Sequence, residues 1–277
     1  MSARRLLAPS AAQLVEVLVS SAEDAAPLSS RLRQLLIARL TDTSARAGGP
    51  RRRLDAFSVE RDDAGFTTPF AWGTRAARRA IGTAAARGVA QGRHADALRA
   101  ASEEVERLCD RAERGLSRPG SLGAWLRGEP APVRSLCALE AATWAGGLLA
   151  LVTPATQGAL GVGVSDAWFE VPGTKLTLHG RRDAIAAAGE RRSILRLRDG
   201  LPGDASLAGL AIEGLVESLA APTRALPARV VGAWPDAGVC LVMDFDEDVA
   251  RTAARGLVSA AVRRCVVPED DRLVVAA

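Results

Sequence analysis

Asp183, Arg196 and Arg198 have types and a spacing that suit chemistry on phosphodiesters. Asp183 follows one short strand candidate and the two arginines alternate along the next, within LTLHGRRDAIAAAGERRSILRLRDG. Side chains at the ends of adjacent strands lie within a few ångströms of each other. A carboxylate placed there is a ligand for Mg²⁺ or Mn²⁺, and such an ion orients a scissile phosphate and generates hydroxide.

Arg196 and Arg198 change what such a site could do. A single carboxylate holds Mg²⁺ poorly, because this ion prefers a shell of several oxygen ligands. Two positive charges on the neighbouring strand repel a metal ion at short range, whereas they attract phosphate. The residues therefore predict a site that binds a nucleic-acid backbone without cutting it, and no resident cofactor is expected.

The stretch EVPGTKLTLHGRRDAI, which begins at Glu170, resembles the PD-(D/E)XK nuclease domain of the RecB-like branch, also used by CRISPR-associated exonucleases. That family runs as a "Glu … Gly-Arg-x-Asp" strand, a "hydrophobic-Asp-x-Lys-x-Gly" strand, a helix and a further strand. The resemblance implies that Asp183 is the first-strand metal ligand. It also implies that His94, in VAQGRHADAL, is a loose counterpart of the family's helix-borne ligand.

The same resemblance places Arg196 and Arg198 where the family has its Asp and Lys. The helix SLAGLAIEGLVESL also lacks the family's Gln and Tyr. We therefore expect a catalytically degenerate member of this family. An alternative stays open, in which an active Mg²⁺- or Mn²⁺-dependent nuclease uses His94, Asp183 and a displaced acid. The candidates for that acid are Asp199, Glu190, Glu213 and Glu217.

A second group of arginines lies in the front half of the chain. Thr74 is a plausible helix cap, and Arg75, Arg78 and Arg79 then share one helical face. Such a face could bind a phosphate backbone, although a surface amphipathic helix has the same pattern. The candidate phosphate contacts in the whole chain are Arg75, Arg78, Arg79, Arg181, Arg182, Arg196 and Arg198.

The composition fits a folded protein with a nucleic-acid or protein partner. Of 277 residues, 48% are hydrophobic and 25% charged, and the net charge of +4 permits a nucleic-acid partner without requiring one. The four cysteines form no CxxC pair, so we expect reduced thiols in a cytoplasmic protein. The uncharged stretch 141–165 is only weakly apolar, which favours a buried helix running into a loop over a membrane span. P-loop, GxGxxG, HExxH and GxSxG patterns do not occur.

The periodicity predicts a helical front part followed by a mixed core. Helices are expected over 11–21, 29–40, 97–114, 133–151, 205–220 and 247–264, and strands over 175–178, 184–188, 193–198 and 273–276. A solvated turn is expected at 51–53 and a hairpin at 235–238. We expect an N-terminal helical segment (1–56) and a nuclease-like domain (57–277), which divides into a helical front (57–165) and an α/β core (166–277).

The expected fold class is therefore α/β (α+β), with a mixed central sheet flanked by helices and a helical N-terminal subdomain. The family resemblance implies a restriction-endonuclease-like core. We expect a nuclease-like protein that binds nucleic acid or forms a complex. The alternatives are the active nuclease described above and a protein-interaction scaffold that does not bind nucleic acid.

Overall fold

The computed structural model describes residues 3–19, 27–47, 52–55, 72–90, 92–152, 160–162, 166–188, 191–198, 201–221, 225–234 and 237–266. These residues form helices and strands in a mixed order. The helices are α1 (Ala11–Val19), α2 (Ser30–Ala47), α3 (Thr74–Ala90), α4 (Ala97–Glu113), α5 (Leu122–Gly128), α6 (Ala131–Val152), α7 (Asp204–Ala220) and α8 (Glu247–Val266). The strands are β1 (Arg4–Leu7), β2 (Arg52–Asp55), β3 (Leu160–Val162), β4 (Ala167–Glu170), β5 (Leu176–Gly180), β6 (Ala184–Ala188), β7 (Arg191–Leu197), β8 (Arg229–Trp234) and β9 (Val239–Asp244).

The larger sheet has six strands in the order β1-β9-β8-β7-β6-β3. β7 and β8 are parallel and every other neighbouring pair is antiparallel. Parallel neighbours need a crossover connection, and α7 supplies it between β7 and β8. Within each of the antiparallel pairs β6–β7 and β8–β9, the second strand directly follows the first along the chain, as in a hairpin.

Helices cover both faces of this sheet, because its strands alternate apolar side chains between two cores. Ile194 of β7 lies in a core with Leu210 and Leu215 of α7. Leu195, the next residue, lies in a second core with Ile81 of α3. The first core also includes residues of α2 and α8, and the second includes residues of α1, α4 and α6. The result is a mixed α/β fold of three layers.

The smaller sheet has three strands in the order β2-β5-β4, with β2 parallel and β4 antiparallel to β5. Leu54 and Leu178 on its inner face pack into the same core as α7. Only residues 181–183 separate β5 from β6, so the chain passes from the small sheet to the large one within three residues. Asp183 lies at this junction.

Much of the predicted order is present, including the helix over 133–151, the helix over 205–220 and the hairpin near 235–238. The last helix begins after Asp246, whose carboxylate accepts a hydrogen bond from the Val249 amide at 2.8 Å. Among the described residues, no helix is both long and apolar enough to cross a membrane. The strand predicted over 273–276 lies outside the described residues.

Three predictions differ from the structure. The turn predicted at 51–53 is wrong for Arg52 and Arg53, which lie in β2; residue 51 lies outside the described part. The loop predicted near 160 contains β3. The first 56 residues, expected to be a helical segment, also contribute β1 to the large sheet and β2 to the small one. These strands have three or four residues each, too few for a period of two to be visible in the sequence.

Candidate functional site

Asp183 is held by protein donors on both carboxylate oxygens. The register pairs Ala184 with Leu195, so Asp183 is adjacent to Arg196 across the hairpin. Its Oδ2 accepts hydrogen bonds from Arg196 Nη1 at 2.5 Å and from the Leu197 amide at 2.8 Å. Its Oδ1 accepts a hydrogen bond from the Thr83 hydroxyl of α3 at 3.3 Å. These three hydrogen bonds occupy most of the lone pairs that a metal ion would otherwise use.

Arg196 lies between two buried carboxylates. Its Nε donates a hydrogen bond to Glu213 Oε1 of α7 at 3.2 Å, while Nη1 binds Asp183. The exposed fractions are 1% for Arg196 and 3% for both Asp183 and Glu213. Burial alone would lower the pKa of Arg196, but the charges of Asp183 and Glu213 outweigh it and the pKa is raised. Arg196 is therefore a permanent cation at the centre of this site.

Glu213 is positioned by the close approach of α7 to the end of β5. Gly180 permits that approach, because a Cβ at this position would lie 3.2 Å from Glu213 Oε2 and 3.2 Å from Val216. The same Oε2 accepts a hydrogen bond from the Arg181 amide at 2.7 Å. One carboxylate thus fixes both the arginine of β7 and the backbone that joins the two sheets.

Glu217, one helical turn after Glu213, binds two more arginines. Its Oε1 accepts hydrogen bonds from Arg182 Nη1 at 3.0 Å and Arg192 Nη1 at 2.8 Å. Residues four apart lie on the same side of a helix, so α7 presents two carboxylates in a row to the arginines around the β5–β6 junction and β7. Arg182, a predicted phosphate contact, is consequently bound to a buried carboxylate.

Arg79 of α3 reaches the site from the opposite layer. Its pKa is lowered to about 10, first by burial and then by the charge of Arg196, with Asp183 opposing and Arg198 and Arg181 adding to the effect. Arg198 is buried and its amide donates to the Ala233 carbonyl at 2.7 Å. Three of the other arginines predicted from the sequence, Arg181, Arg196 and Arg198, therefore act electrostatically on Arg79 in a single site.

The remaining predicted residues lie elsewhere or outside the described side chains. Arg78 is half-buried, with its guanidinium 5.2 Å from the centre of the Trp144 ring. His94 Nδ1 is 3.3 Å from Glu103 Oε2. The His94 ring also packs so closely on Gly88 that a Cβ there would lie 2.6 Å from it. Arg75 is in α3, but its side chain lies outside the described part.

Asp166 and His179 form a pair that the sequence did not single out. His179 Nε2 is 3.0 Å from Asp166 Oδ2, and the His179 ring stacks on Trp168 with 4.0 Å between the ring centres. Burial would raise the pKa of Asp166, but the hydrogen bond with His179 and nearby charges, Arg181 among them, lower it. Asp166 also adds to the raised pKa of Arg196, so it belongs to the same electrostatic site. The available signal was the pairing of AWFE with LTLHG as neighbouring strands.

The charged side chains of this site are paired with one another, so they leave few free ligand atoms for a metal ion. Among the described residues, no group of three or more His, Cys, Asp or Glu side chains is arranged to hold a metal ion. The space between Asp183 and Glu213, where two carboxylates would converge on a cation, contains the Arg196 guanidinium.

Comparisons with protein-family models, with curated proteins and with solved structures give no match for this chain.

Proposed function

We propose that this protein is a catalytically degenerate nuclease-like protein that binds nucleic acid instead of cutting it. One observation supports the proposal most directly, namely the Arg196 guanidinium held between the buried carboxylates of Asp183 and Glu213. A guanidinium supplies the positive charge that a metal ion would supply, so it keeps the two carboxylates in place. It does not generate hydroxide, so the site does not support phosphodiester hydrolysis.

The element order supports a RecB-like, restriction-endonuclease-like core. Asp183 precedes β6, β7 follows as its hairpin partner, α7 crosses over and β8 lies parallel to β7. This is the order of strand, strand, helix and strand that the family resemblance implies. The positions of Asp183 and Arg196 as cross-strand neighbours also agree with the alignment that places an arginine where the family has its second acid.

The loss of catalysis follows from the donors around Asp183. A Mg²⁺ ligand needs free lone pairs, whereas three hydrogen bonds from protein groups occupy most of those of Asp183. Arg181, Arg196 and Arg198 all lie close enough to Arg79 to lower its pKa, and these charges together disfavour a divalent cation. His94, the family's other implied ligand, interacts with Glu103 on α4.

Nucleic-acid binding is supported by the arginine at the outer edge of this site. Arg181 is exposed, and its backbone is fixed by Glu213, so its side chain projects from a rigid point at the junction of the two sheets. A guanidinium in such a position suits a phosphate oxygen, because it presents several donors in one plane. The net charge of +4 adds a weak long-range attraction.

The test combines cleavage and binding on end-labelled single- and double-stranded DNA and RNA. We expect no cleavage with Mg²⁺, Mn²⁺ or EDTA, and binding that weakens steeply as the salt concentration rises. Arg181→Glu should weaken binding. It should also reduce the slope of log affinity against log salt concentration by about one or more, which corresponds to the loss of at least one phosphate contact. Arg111→Glu is the matched control, because it makes the same charge change at an exposed position of α4.

Two results would overturn the proposal. Metal-dependent cleavage that disappears in Asp183→Ala would establish the active nuclease with a displaced acid. The absence of binding to every nucleic acid at low salt would remove the binding role and favour the scaffold.

A protein-interaction role is the second candidate, and a groove between α2 and α8 favours it. The groove has a volume of about 500 Å³ and contains the exposed apolar side chains of Leu35 and Val262. Four arginines and no carboxylates are among its described lining residues, namely Arg39, Arg251, Arg255 and Arg263, of which Arg251 forms ion pairs with Glu247 and Asp248. The occupant with matching chemistry is an acidic amphipathic helix of a partner protein.

Leu35→Ser together with Val262→Ser should abolish such a complex and leave nucleic-acid binding unchanged. Loss of nucleic-acid binding in this double variant would contradict the assignment of the groove to a protein partner.

A further inference from the structure

Trp168 is an exposed aromatic residue on the outer face of the small sheet. It lies on the edge strand β4, directly opposite His179 of β5 in the register, and 50% of its surface is exposed. The residues on either side of it, Ala167 and Phe169, face the interior core. Half of the surface of this large aromatic residue is therefore accessible to a ligand, while the other half is buried against the protein.

The ring of Trp168 is held rigidly by its neighbours. His179 stacks on it with 4.0 Å between ring centres and 26° between planes, and Asp166 fixes His179 through the hydrogen bond to Nε2. The Arg53 guanidinium of β2 lies 5.9 Å from the centre of the Trp168 ring. The side chains of three strands therefore form one aromatic and cationic platform, which we define as Arg53, Trp168 and His179. His179 is only 2% exposed and supports the Trp168 ring from one face, so the accessible part of the platform is Trp168 and Arg53.

This platform lies beside the exposed arginine of the site. Arg181 follows His179 by two residues, a distance of roughly 7 Å along an extended chain. The charge of Arg181 also acts on Asp166, the residue that fixes His179. Arg181 and Trp168 thus lie in the same part of the small sheet, so one nucleic-acid strand could reach both.

We propose that the platform stacks an unpaired nucleobase, so that the ligand is single-stranded nucleic acid. The inference rests on the nucleic-acid binding proposed above and specifies its form. Aromatic side chains accept any base through its flat face, and a nearby arginine strengthens the stack. The bases of an intact duplex are stacked on each other, so a duplex offers the platform only its backbone.

The test uses a fluorescently labelled oligothymidylate of about ten nucleotides and an oligonucleotide of the same length whose central residues lack bases. Both have the same phosphates, so their difference in affinity reports base contacts. We expect the wild-type protein to bind the oligothymidylate more tightly. Trp168→Leu should weaken that binding roughly 5- to 150-fold and leave binding of the abasic oligonucleotide unchanged. Trp168→Phe should lose less than Trp168→Leu, because it keeps a stacking face.

Leu98→Ala is the matched control, since Leu98 is 52% exposed on α4 and a comparable apolar side chain is removed away from the platform. Equal affinity of the wild type for both oligonucleotides would overturn base stacking and leave phosphate binding intact. An equal loss on both oligonucleotides in Trp168→Leu would mean that Trp168 acts on the fold, and it would also overturn the inference. Failure of the wild type to bind either oligonucleotide or a duplex would instead refute the nucleic-acid function itself.

Discussion

Arg196→Met is the substitution that tests the ion-pair site most directly. Methionine keeps much of the volume of arginine and removes the cation, so Asp183 and Glu213 would face each other as buried charges. Removing one partner from a buried ion pair costs about 3–5 kcal/mol. The lower end applies here, because Asp183 keeps its hydrogen bonds from the Leu197 amide and Thr83, and Glu213 keeps the one from Arg181.

We therefore expect the free energy of unfolding to fall by about 3 kcal/mol and the melting temperature by about 6–12 °C, given the usual scaling for chains of this size. Equilibrium unfolding in urea, followed by circular dichroism and tryptophan fluorescence, measures the first quantity.

Two further variants make the measurement decisive. Arg107→Met is the matched control, because Arg107 pairs with Glu104 on the surface of α4 and the same substitution there should cost within about 1 kcal/mol. Adding Asp183→Asn and Glu213→Gln to Arg196→Met removes the uncompensated charges and should restore most of the lost stability. If Arg196→Met costs no more than Arg107→Met, the guanidinium is not what keeps the two carboxylates buried, and the reasoning fails.

Three other predictions address packing and ionisation. Gly82→Ala should destabilise the protein by about 1–3 kcal/mol, because the new Cβ would lie 2.7 Å from the Ala141 carbonyl oxygen. A Cβ at Gly146 meets nothing within 4 Å, so Gly146→Ala should stabilise α6 by about 0.5–1 kcal/mol. Thermal unfolding of the two variants compares these effects. Burial raises the pKa of Cys240 to about 11, so alkylation of the native protein at about pH 8 should be roughly a hundredfold slower at this cysteine than after unfolding, and peptide mass spectrometry measures the ratio. The pKa of Asp166 is lowered, so its contribution to stability is present above its unfolded pKa and is lost as the pH falls through its pKa in the folded protein. His179→Phe removes the hydrogen bond to Asp166 and should reduce this loss of stability below about pH 4. An unchanged dependence of stability on pH would contradict the pairing.

The sequence predicted the parts of the fold that depend on local signals. α6 and α7 have long apolar patterns, α8 begins after a capping aspartate, and β8 and β9 flank turn residues near Gly238. β1 and β2 have no comparable signal, since RRLL and RRLD are short and at least half of their residues are charged. β1 becomes a strand because it pairs with β9, at the other end of the chain, and no local pattern reports such a partner.

The same distinction applies to the site. The proximity of Asp183 and Arg196 follows from a hairpin and is visible in the sequence. In the sequence Glu213 is only one of four candidate acids, because its position beside Arg196 depends on how α7 crosses the sheet. The Asp166–His179 pair depends on the register of β4 with β5. The grouping of Arg75, Arg78 and Arg79 on one face did not anticipate that Arg78 turns towards Trp144 while Arg79 enters the site.

The ion pairs of Arg196 also constrain how this sequence can change. A carboxylate at position 196 would place a third negative charge beside Asp183 and Glu213, which are buried and cannot move into water. A neutral residue there would leave two charges without compensation. Substitutions at 183, 196 and 213 are therefore tolerated together and harmful singly, which is epistasis with a definite physical cause. Among relatives that bind no metal ion at this site, the three positions should vary as a set, either with these three charges or with three neutral residues.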